Sequence, residues 1–325
     1  MTSKLLSSNN LTLRMLVPAV VLLLVLTLPI ISQGFVLFQA TQVMIYAVAI
    51  LGLNLLVGFS GQLSLGHGAF FAIGAYATAI LMEQFGVPYG LAVPAAGLVA
   101  LVFGLLFGLP ALRLEGVYLA LATFSLAIAT PQILKLSVLT PLTGGSQGMA
   151  VSKPQAPASL ALTDDQWLYY IALFVTLALY LIAQNLVNSR SGLAMLAIKE
   201  DPLAAKAMGV NLSVYKTLAF GTSAAFNGIA GALSAMSVQY ISPESFTFYL
   251  SASILVGLVV GGVSWLPGAF FGGMFVLLVP NVAEGISKGL SGAVYGAILI
   301  ALIIFLPSGA STFRRIQFLR TSHKR

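Results

Sequence analysis

The sequence predicts an all-α, polytopic integral membrane protein. Charged residues make up only 7% of the 325, against the roughly 25% usual in soluble domains. Hydrophobic residues reach 59%, and uncharged runs about as long as a spanning helix, roughly 20 residues, recur from end to end. Basic residues gather in alternate loops, the pattern of chains whose cytoplasmic loops collect Lys and Arg. A fold surrounded by water would lack the charge to cover its outside.

With charges and Gly, Pro and Asn clusters taken as boundaries, about ten transmembrane helices are expected, at 16–32, 41–59, 66–82, 89–109, 117–135, 167–187, 217–240, 248–265, 268–283 and 291–306. The first run has Lys4 and Arg14 as a basic flank, but no small-residue cleavage pattern follows "LTLPIISQGF" and a second span begins at once. It is expected to be a retained helix rather than a signal peptide. The 248–283 region equally admits a re-entrant hairpin or broken helices.

With the N-terminus inside, the cytoplasmic face receives Lys4, Arg14, Arg113, Arg190, Lys199, Lys206, Lys216, Arg314, Arg315, Arg320, Lys324 and Arg325, 12 of the 15 basic residues. The other face keeps Lys135, Lys153 and Lys288, with Glu83, Asp164, Asp165, Glu244 and Glu284, five of the eight acids. Both termini are therefore expected to be cytoplasmic. The net charge of +7 is topological and does not indicate a nucleic-acid partner. Absence of cysteine removes disulfides, thiolate metal sites and a cysteine nucleophile.

Residues 1–310 read as one transmembrane domain, followed by a basic cytoplasmic tail at 311–325. Two connections are too long and polar to be hairpin turns. Residues 136–166 form an extracytoplasmic loop rich in Pro, Gly, Ser and Thr, and 188–216 a cytoplasmic loop with helical signals. In the second, Asp201 can cap free amides, Pro202 suits a first helical position and Gly209 a left-handed exit. The "LAAKAM" between them is too short to persist alone, so either the membrane helices or a partner protein must hold it.

"GLNLLVGFSGQLSLGHGAFFAIGAYATAIL", residues 52–81, carries no charge yet holds Asn54, Ser60, Gln62, Ser64 and His67 among its glycines. Uncharged polar groups beside helix-loosening glycines suit a segment facing protein or a watery path rather than lipid. Asn54, Gln62, Ser64 and His67 are the candidates for lining a translocation path for a neutral or zwitterionic solute; packing between helices is the competing reading. "GFSGQLS" at 58–64 and "GIAGALS" at 228–234 share the spacing GxxGxLS, in spans of opposite direction. Chance in a Gly-rich chain and two inverted five-helix repeats both account for the echo.

Catalysis finds no constellation here: HExxH and paired intramembrane acids are missing, and Ser60, Ser64 and His67 have no nearby aspartate and no nucleophile elbow. His67 reads best as a hydrogen-bonded helix cross-link, and the other histidine, His323, sits in the tail. "TGGSQG" at 143–148 resembles a glycine loop for nucleotides, but there is no GxxxxGK[ST] and it lies on the wrong side for ATP. Its glycines and hydroxyls suit an extracytoplasmic mouth or docking surface. The GxxxG pairs Gly104/Gly108, Gly257/Gly261 and Gly268/Gly272 are packing signals.

Four motifs in order, "GLNLLVGFSGQLSLGHGAFFAIGAYATAIL", "EGVYLALATFSLA" at 115–127, "LTGGSQGM" at 142–149 and "SRSGLAMLAIKEDPLAAKAMGV" at 189–210, resemble permease subunits of bacterial branched-chain amino acid ABC importers. The likeness covers most of 40–307. It implies a multi-pass subunit of the bacterial inner membrane that carries leucine, isoleucine and valine. The implied partners are a homologous second permease, two cytoplasmic ATP-binding cassette ATPases, a periplasmic solute-binding protein and the surrounding lipid. No catalytic residue, metal or cofactor is implied on this chain, since ATP is bound by the partner subunits.

The resemblance also makes 188–216 a coupling loop for the ATPase, with "AAKAMG" matching the AAxxxG core. Where many importers carry Glu before the alanine pair, this chain has Leu203, and Glu200 stands three residues earlier. Arg190, Gly192, Glu200, Asp201, Ala204, Ala205 and Gly209 are the implied ATPase contacts. Urea or short amides are alternative substrates within the class. A stand-alone secondary transporter or channel is the alternative outside it, and would ordinarily hold a charged residue mid-membrane, which none of the ten spans does.

Overall fold

Long apolar segments in lipid must satisfy their own backbone N–H and C=O groups, and a helix does so within one segment. The computed structural model describes residues 25–32, 34–114, 116–157, 162–286, 291–305 and 309–311, and these are helical almost throughout. Most of the expected first span, Lys288, His323 and the tail beyond residue 311 lie outside the described residues. Residues 25–31 are helical. They are followed by α1 (Phe35–Leu53), α2 (His67–Glu83), α3 (Tyr89–Ala111), α4 (Val117–Leu134) and α5 (Asp164–Asn188). Two short helices, α6 (Arg190–Glu200) and α7 (Pro202–Ala207), lead into α8 (Leu212–Val238), α9 (Phe248–Gly261), α10 (Gly268–Ile286) and α11 (Ser291–Phe305).

Among the described residues six helical segments are long and apolar enough to cross a membrane: Phe35–Phe59, Tyr89–Pro110, Val117–Leu134, Asp164–Asn188, Pro243–Gly261 and Gly268–Gly285. The protein is thus a multi-pass, all-α membrane protein. Ten spans were expected. Of the other four, most of 16–32 lies outside the described residues, 15 residues of α11 are described, α2 is a 17-residue helix, and α8, at 27 residues, is rich in Gly, Ala, Ser and Thr.

That composition follows from position. α8 packs against α3, α2 and α1, with Ala219, Gly221, Ser223, Ala224, Asn227, Gly228 and Gly231 buried. Lipid supplies no hydrophobic drive between helices, so close approach of backbones has to hold them together. A Cβ on Gly231 would collide with Phe71 O, one on Gly74 with Gly228 O, and one on Gly104 with the Ala224 methyl. The expected GxxxG pairs serve the same purpose. Gly104 and Gly108 face α8, while Gly257 and Gly261 of α9 meet Gly272 and Gly268 of α10.

The packing pairs exchange when α1, α2 and α3 are replaced by α8, α9 and α10. α3 lies on α8 as α10 lies on α1, α2 on α3 as α9 on α10, and α2 on α8 as α9 on α1. The GxxGxLS echo does not share a local structure, however: 228–234 is continuous helix, whereas 58–64 leaves a helix for non-helical chain.

At the far end of α8, strands β1 (Met149–Ala150) and β2 (Tyr240–Ile241) pair antiparallel, with Met149 opposite Ile241. Ion pairs Lys135–Glu244 and Lys153–Asp165 tie the neighbouring loops. The glycine loop 143–148 is folded onto this ribbon, since a Cβ on Gly148 would strike Ile241 O and one on Gly144 would strike Gly148 O.

Because Gly231 sits at a backbone contact, Gly231→Val is expected to lower the thermal midpoint of the detergent-solubilised protein, by overpacking worth about 1–3 kcal/mol or more. Gly90→Ala, where an added Cβ meets nothing within 4 Å, is the control. Equal midpoints for the two variants would contradict the packing account.

Candidate functional site

The polar run 54–67 is where the membrane helices stop being regular. α1 continues into a π-helical turn, Asn54–Phe59, and the chain then runs non-helically from Gly61 to Gly66 before α2 starts at His67. Gly61, at φ 72°, turns the chain where a side chain would be strained. π-turns inside α-helices leave carbonyls without their usual partner and are found mostly at functional positions.

Polar groups in and beside this run reach across to α4, α8, α9 and the 262–267 connection. Asn54, 0% exposed, donates from Nδ2 to Trp265 O at 3.1 Å and accepts at Oδ1 from Ser264 N at 2.9 Å. It thereby bridges to a second helix break, the 262–267 connection between α9 and α10. Ser264, a non-glycine residue at φ 63°, returns the contact by donating its hydroxyl to Gly58 O at 2.6 Å. A Cβ on Gly58 would collide with Asn54 Oδ1 and lie 2.8 Å from Ser264 N, so glycine alone fits between the two breaks.

Gln62 donates to Ser60 Oγ at 2.7 Å and to Lys216 O at the start of α8 at 3.1 Å. Leu65 N donates to Thr123 Oγ1 of α4, and Gly68 N to Ser251 Oγ of α9, both at 2.9 Å. His67, 1% exposed, sits 2.9 Å from Ser64 Oγ through Nδ1 and 2.6 Å from Ser223 Oγ through Nε2. Ser223 gives its single proton to Gly52 O at 2.6 Å, so Nε2–H is the donor in the His67–Ser223 bond. A neutral ring then accepts from Ser64 at Nδ1. Phe70 and Phe220 close round the imidazole with ring centroids 5.9 and 6.3 Å away.

The four path candidates, Asn54, Gln62, Ser64 and His67, are therefore all buried; Asn54, Gln62 and His67 are hydrogen-bonded across to other elements, and Ser64 to His67 within the run.

The 188–216 connection is built by caps. Ser189 Oγ accepts from Gly192 N at 3.4 Å to start α6, and Asp201 accepts from Leu203 N and Ala204 N at 2.9 and 3.1 Å to start α7. Pro202 occupies the first turn of α7, and Gly209, at φ 84°, ends it. α6 buries Gly192, Met195 and Ile198, and a Cβ on Gly192 would strike Leu186 O and Val187 O. In α7 Ala205 is turned inward at 5% exposure, while Leu203 and Met208 stand out at 80% and 85%.

Of the expected ATPase contacts, Arg190, Glu200, Asp201, Ala204 and Gly209 are exposed, whereas Gly192 and Ala205 pack within the chain. Sequence reasoning did not single out Lys199, whose ammonium donates to Gly58 O at 2.7 Å and to Ser264 Oγ at 3.1 Å. Nor did it find Ser223, Thr123, Ser251 or Ser264. For Ser223, Thr123 and Ser251 a hydroxyl within a membrane helix was the available signal; Ser264 lies between helices and offered none. Among the described residues no three His, Asp or Glu side chains are grouped as metal ligands.

Comparison with known proteins places the chain. The family model described as the permease component of the branched-chain amino acid transport system matches residues 35–303. The high-affinity branched-chain amino acid transport system permease protein LivM of Salmonella typhimurium is 35% identical over 274 residues, covering 77% of this chain and 62% of that protein. LivM of Escherichia coli is 36% identical over 249 residues, covering 69% and 58%. LivH of Escherichia coli is 26% identical over 260 residues, covering 75% and 82%. The chain thus spans about three fifths of the length of the two LivM relatives, 62% and 58%. No solved structure matches it.

Asn54→Ala would strip Ser264 N and Trp265 O of their partner at a part-buried site, a loss of about 1–3 kcal/mol for each polar group left unpaired. Hydrogen exchange across 262–267 is expected to quicken by ~10-fold or more in that variant. Exchange unchanged from the parent would contradict the bridging role of Asn54.

Proposed function

The chain belongs to the family of branched-chain amino acid transport system permease components, and from that premise we propose that it is the membrane-spanning permease subunit of an ATP-binding cassette importer. It carries leucine, isoleucine and valine handed over by a periplasmic binding protein, across the bacterial inner membrane. It pairs with a homologous second permease and two cytoplasmic ATPases, which bind and hydrolyse the ATP. In this reading the chain has about ten spans with both termini cytoplasmic, arranged as two inverted five-helix repeats. The exchange of packing pairs between α1–α3 and α8–α10 supports the repeat.

The observation that carries the proposal is that α6, continued by α7, is held against the two helix breaks. A segment too short to be stable alone is capped at both helix starts, fastened to the membrane domain through Gly192, Met195, Ile198 and Ala205, and presents Leu203 and Met208 outward. That combination suits a loop held rigidly from one side and gripped by a partner from the other. The partner's grip falls on the outward residues Leu203, Ala204, Lys206 and Met208, with Arg190, Glu200, Asp201 and Gly209 at the margins. Gly192 and Ala205 support the segment from beneath.

Charge distribution argues against an ion-coupled carrier. Within the six apolar segments the acidic residues, Asp164, Asp165, Glu244 and Glu284, all stand at segment ends, and Lys and Arg are lacking. Asn54, Gln62, Ser64 and His67 offer dipoles without fixed charge, which suits weak contact with a zwitterion while the binding protein supplies selectivity.

Leu203→Asp tests the docking face, because Leu203 has little to lose within this chain. Membrane levels of the variant are expected to match the parent, with leucine uptake and the amount of co-purifying ATPase each reduced ~10-fold or more, as for a hot-spot residue. Normal uptake would overturn the assignment. With the parent chain, uptake of urea in place of leucine would redirect the substrate.

A further inference from the structure

Lys199 stands at a point the importer reading does not require. It is near the C-terminal end of α6, where a basic residue is favourable to the helix dipole, yet its ammonium leaves that helix. It donates 2.7 Å to Gly58 O in the π-turn and 3.1 Å to Ser264 Oγ in the 262–267 break. Ser264 Oγ donates to the same Gly58 carbonyl at 2.6 Å, and Asn54 grips Ser264 N and Trp265 O. The alkyl stem lies along Gly61, where an added Cβ would come within 3.0 Å of Lys199 Cγ. One cation therefore links α6 to two breaks, after α1 and between α9 and α10, that Asn54 and Ser264 already join to each other.

We infer that Lys199 is a positioning residue for transport: it ties α6 to both membrane helix breaks, so that displacement of the 190–207 segment by a docked ATPase is passed to the path through Gly58, Ser264 and Asn54. The inference rests on the importer reading above. Three features make the tie directional rather than a chance surface contact. The carbonyl it binds sits in a π-turn, the residue sharing it holds a strained positive φ, and a glycine leaves the groove for its stem. Strained or irregular backbone persists only where its surroundings over-determine it, and such positions are natural switch points.

The test uses the assembled importer, purified with its ATPases, in liposomes supplied with the binding protein, L-leucine and MgATP, and reads leucine moved per ATP hydrolysed. Lys199→Met keeps the stem and removes the ammonium. Expected is normal assembly and continued ATP hydrolysis, with leucine moved per ATP falling ~10-fold or more, and with most of it restored by Lys199→Arg. Ser264→Gly is the second variant. It removes the shared hydroxyl while easing the positive φ, so the fold is not put at risk, and the same ratio is expected to fall. An unchanged ratio in both variants, or uptake and hydrolysis declining together in step with assembly, would overturn the inference. A parent chain that brings no ATPase with it would instead overturn the importer reading.

Discussion

A chain in lipid has to satisfy its backbone polar groups, and two of this chain's departures from regular helix, at 54–66 and at 262–267, meet each other. The rest of the structure depends on how those two breaks are satisfied. Asn54 supplies a donor and an acceptor to the second break, Ser264 supplies a donor to the first, and Gly58 is the one residue small enough to let them meet. Each break completes the other. Neither could sit at its depth in the molecule alone.

α8 makes this arrangement possible. Its small residues bring its backbone against α1, α2 and α3, and its hydroxyl and amide groups reach the polar run, Ser223 to His67 and Gly52, Asn227 to Ala49 O. A helix this polar would be costly facing lipid, but it lies in the interior, where interhelical hydrogen bonds add to packing. The same burial explains why the longest helix in the described chain does not figure among the six apolar crossings. The helices of the 188–216 connection are joined to α5 and α8 and, through Lys199, to the two breaks.

Much of this was legible in the sequence. Low charge and long apolar runs predicted the helical membrane fold, and Asp201, Pro202 and Gly209 marked the start and end of α7 because caps are local chemistry. The polar run is visible as an anomaly, and Asn54, Gln62, Ser64 and His67 stand out in it as path candidates or packing groups; the structure shows each of them buried and hydrogen-bonded. Their partners were not legible. Ser264, Trp265 and Ser223 lie more than a hundred positions away, and no periodicity encodes a contact at that range. The π-turn was hidden for a related reason: one extra residue in a hydrogen-bonded ring leaves almost no trace in composition. The inward turn of Ala205 was likewise undecided by two neighbouring alanines of equal size, and only packing separates them.

If Lys199 ties α6 to the two helix breaks, the three move as one body. The chain has no cysteine, so pairs of spin labels can be introduced without background. Labels at exposed Leu63 and Leu193 report the distance between the first break and α6, and labels at Leu193 and Val138 report α6 against the far end of the molecule. In the importer assembled as proposed, adding ATP is predicted to change the Leu193–Val138 distance while the Leu63–Leu193 distance stays single and constant. A Leu63–Leu193 distance that shifts or broadens as much as the other would contradict the tie, and would mean that the 190–207 segment moves free of the two breaks.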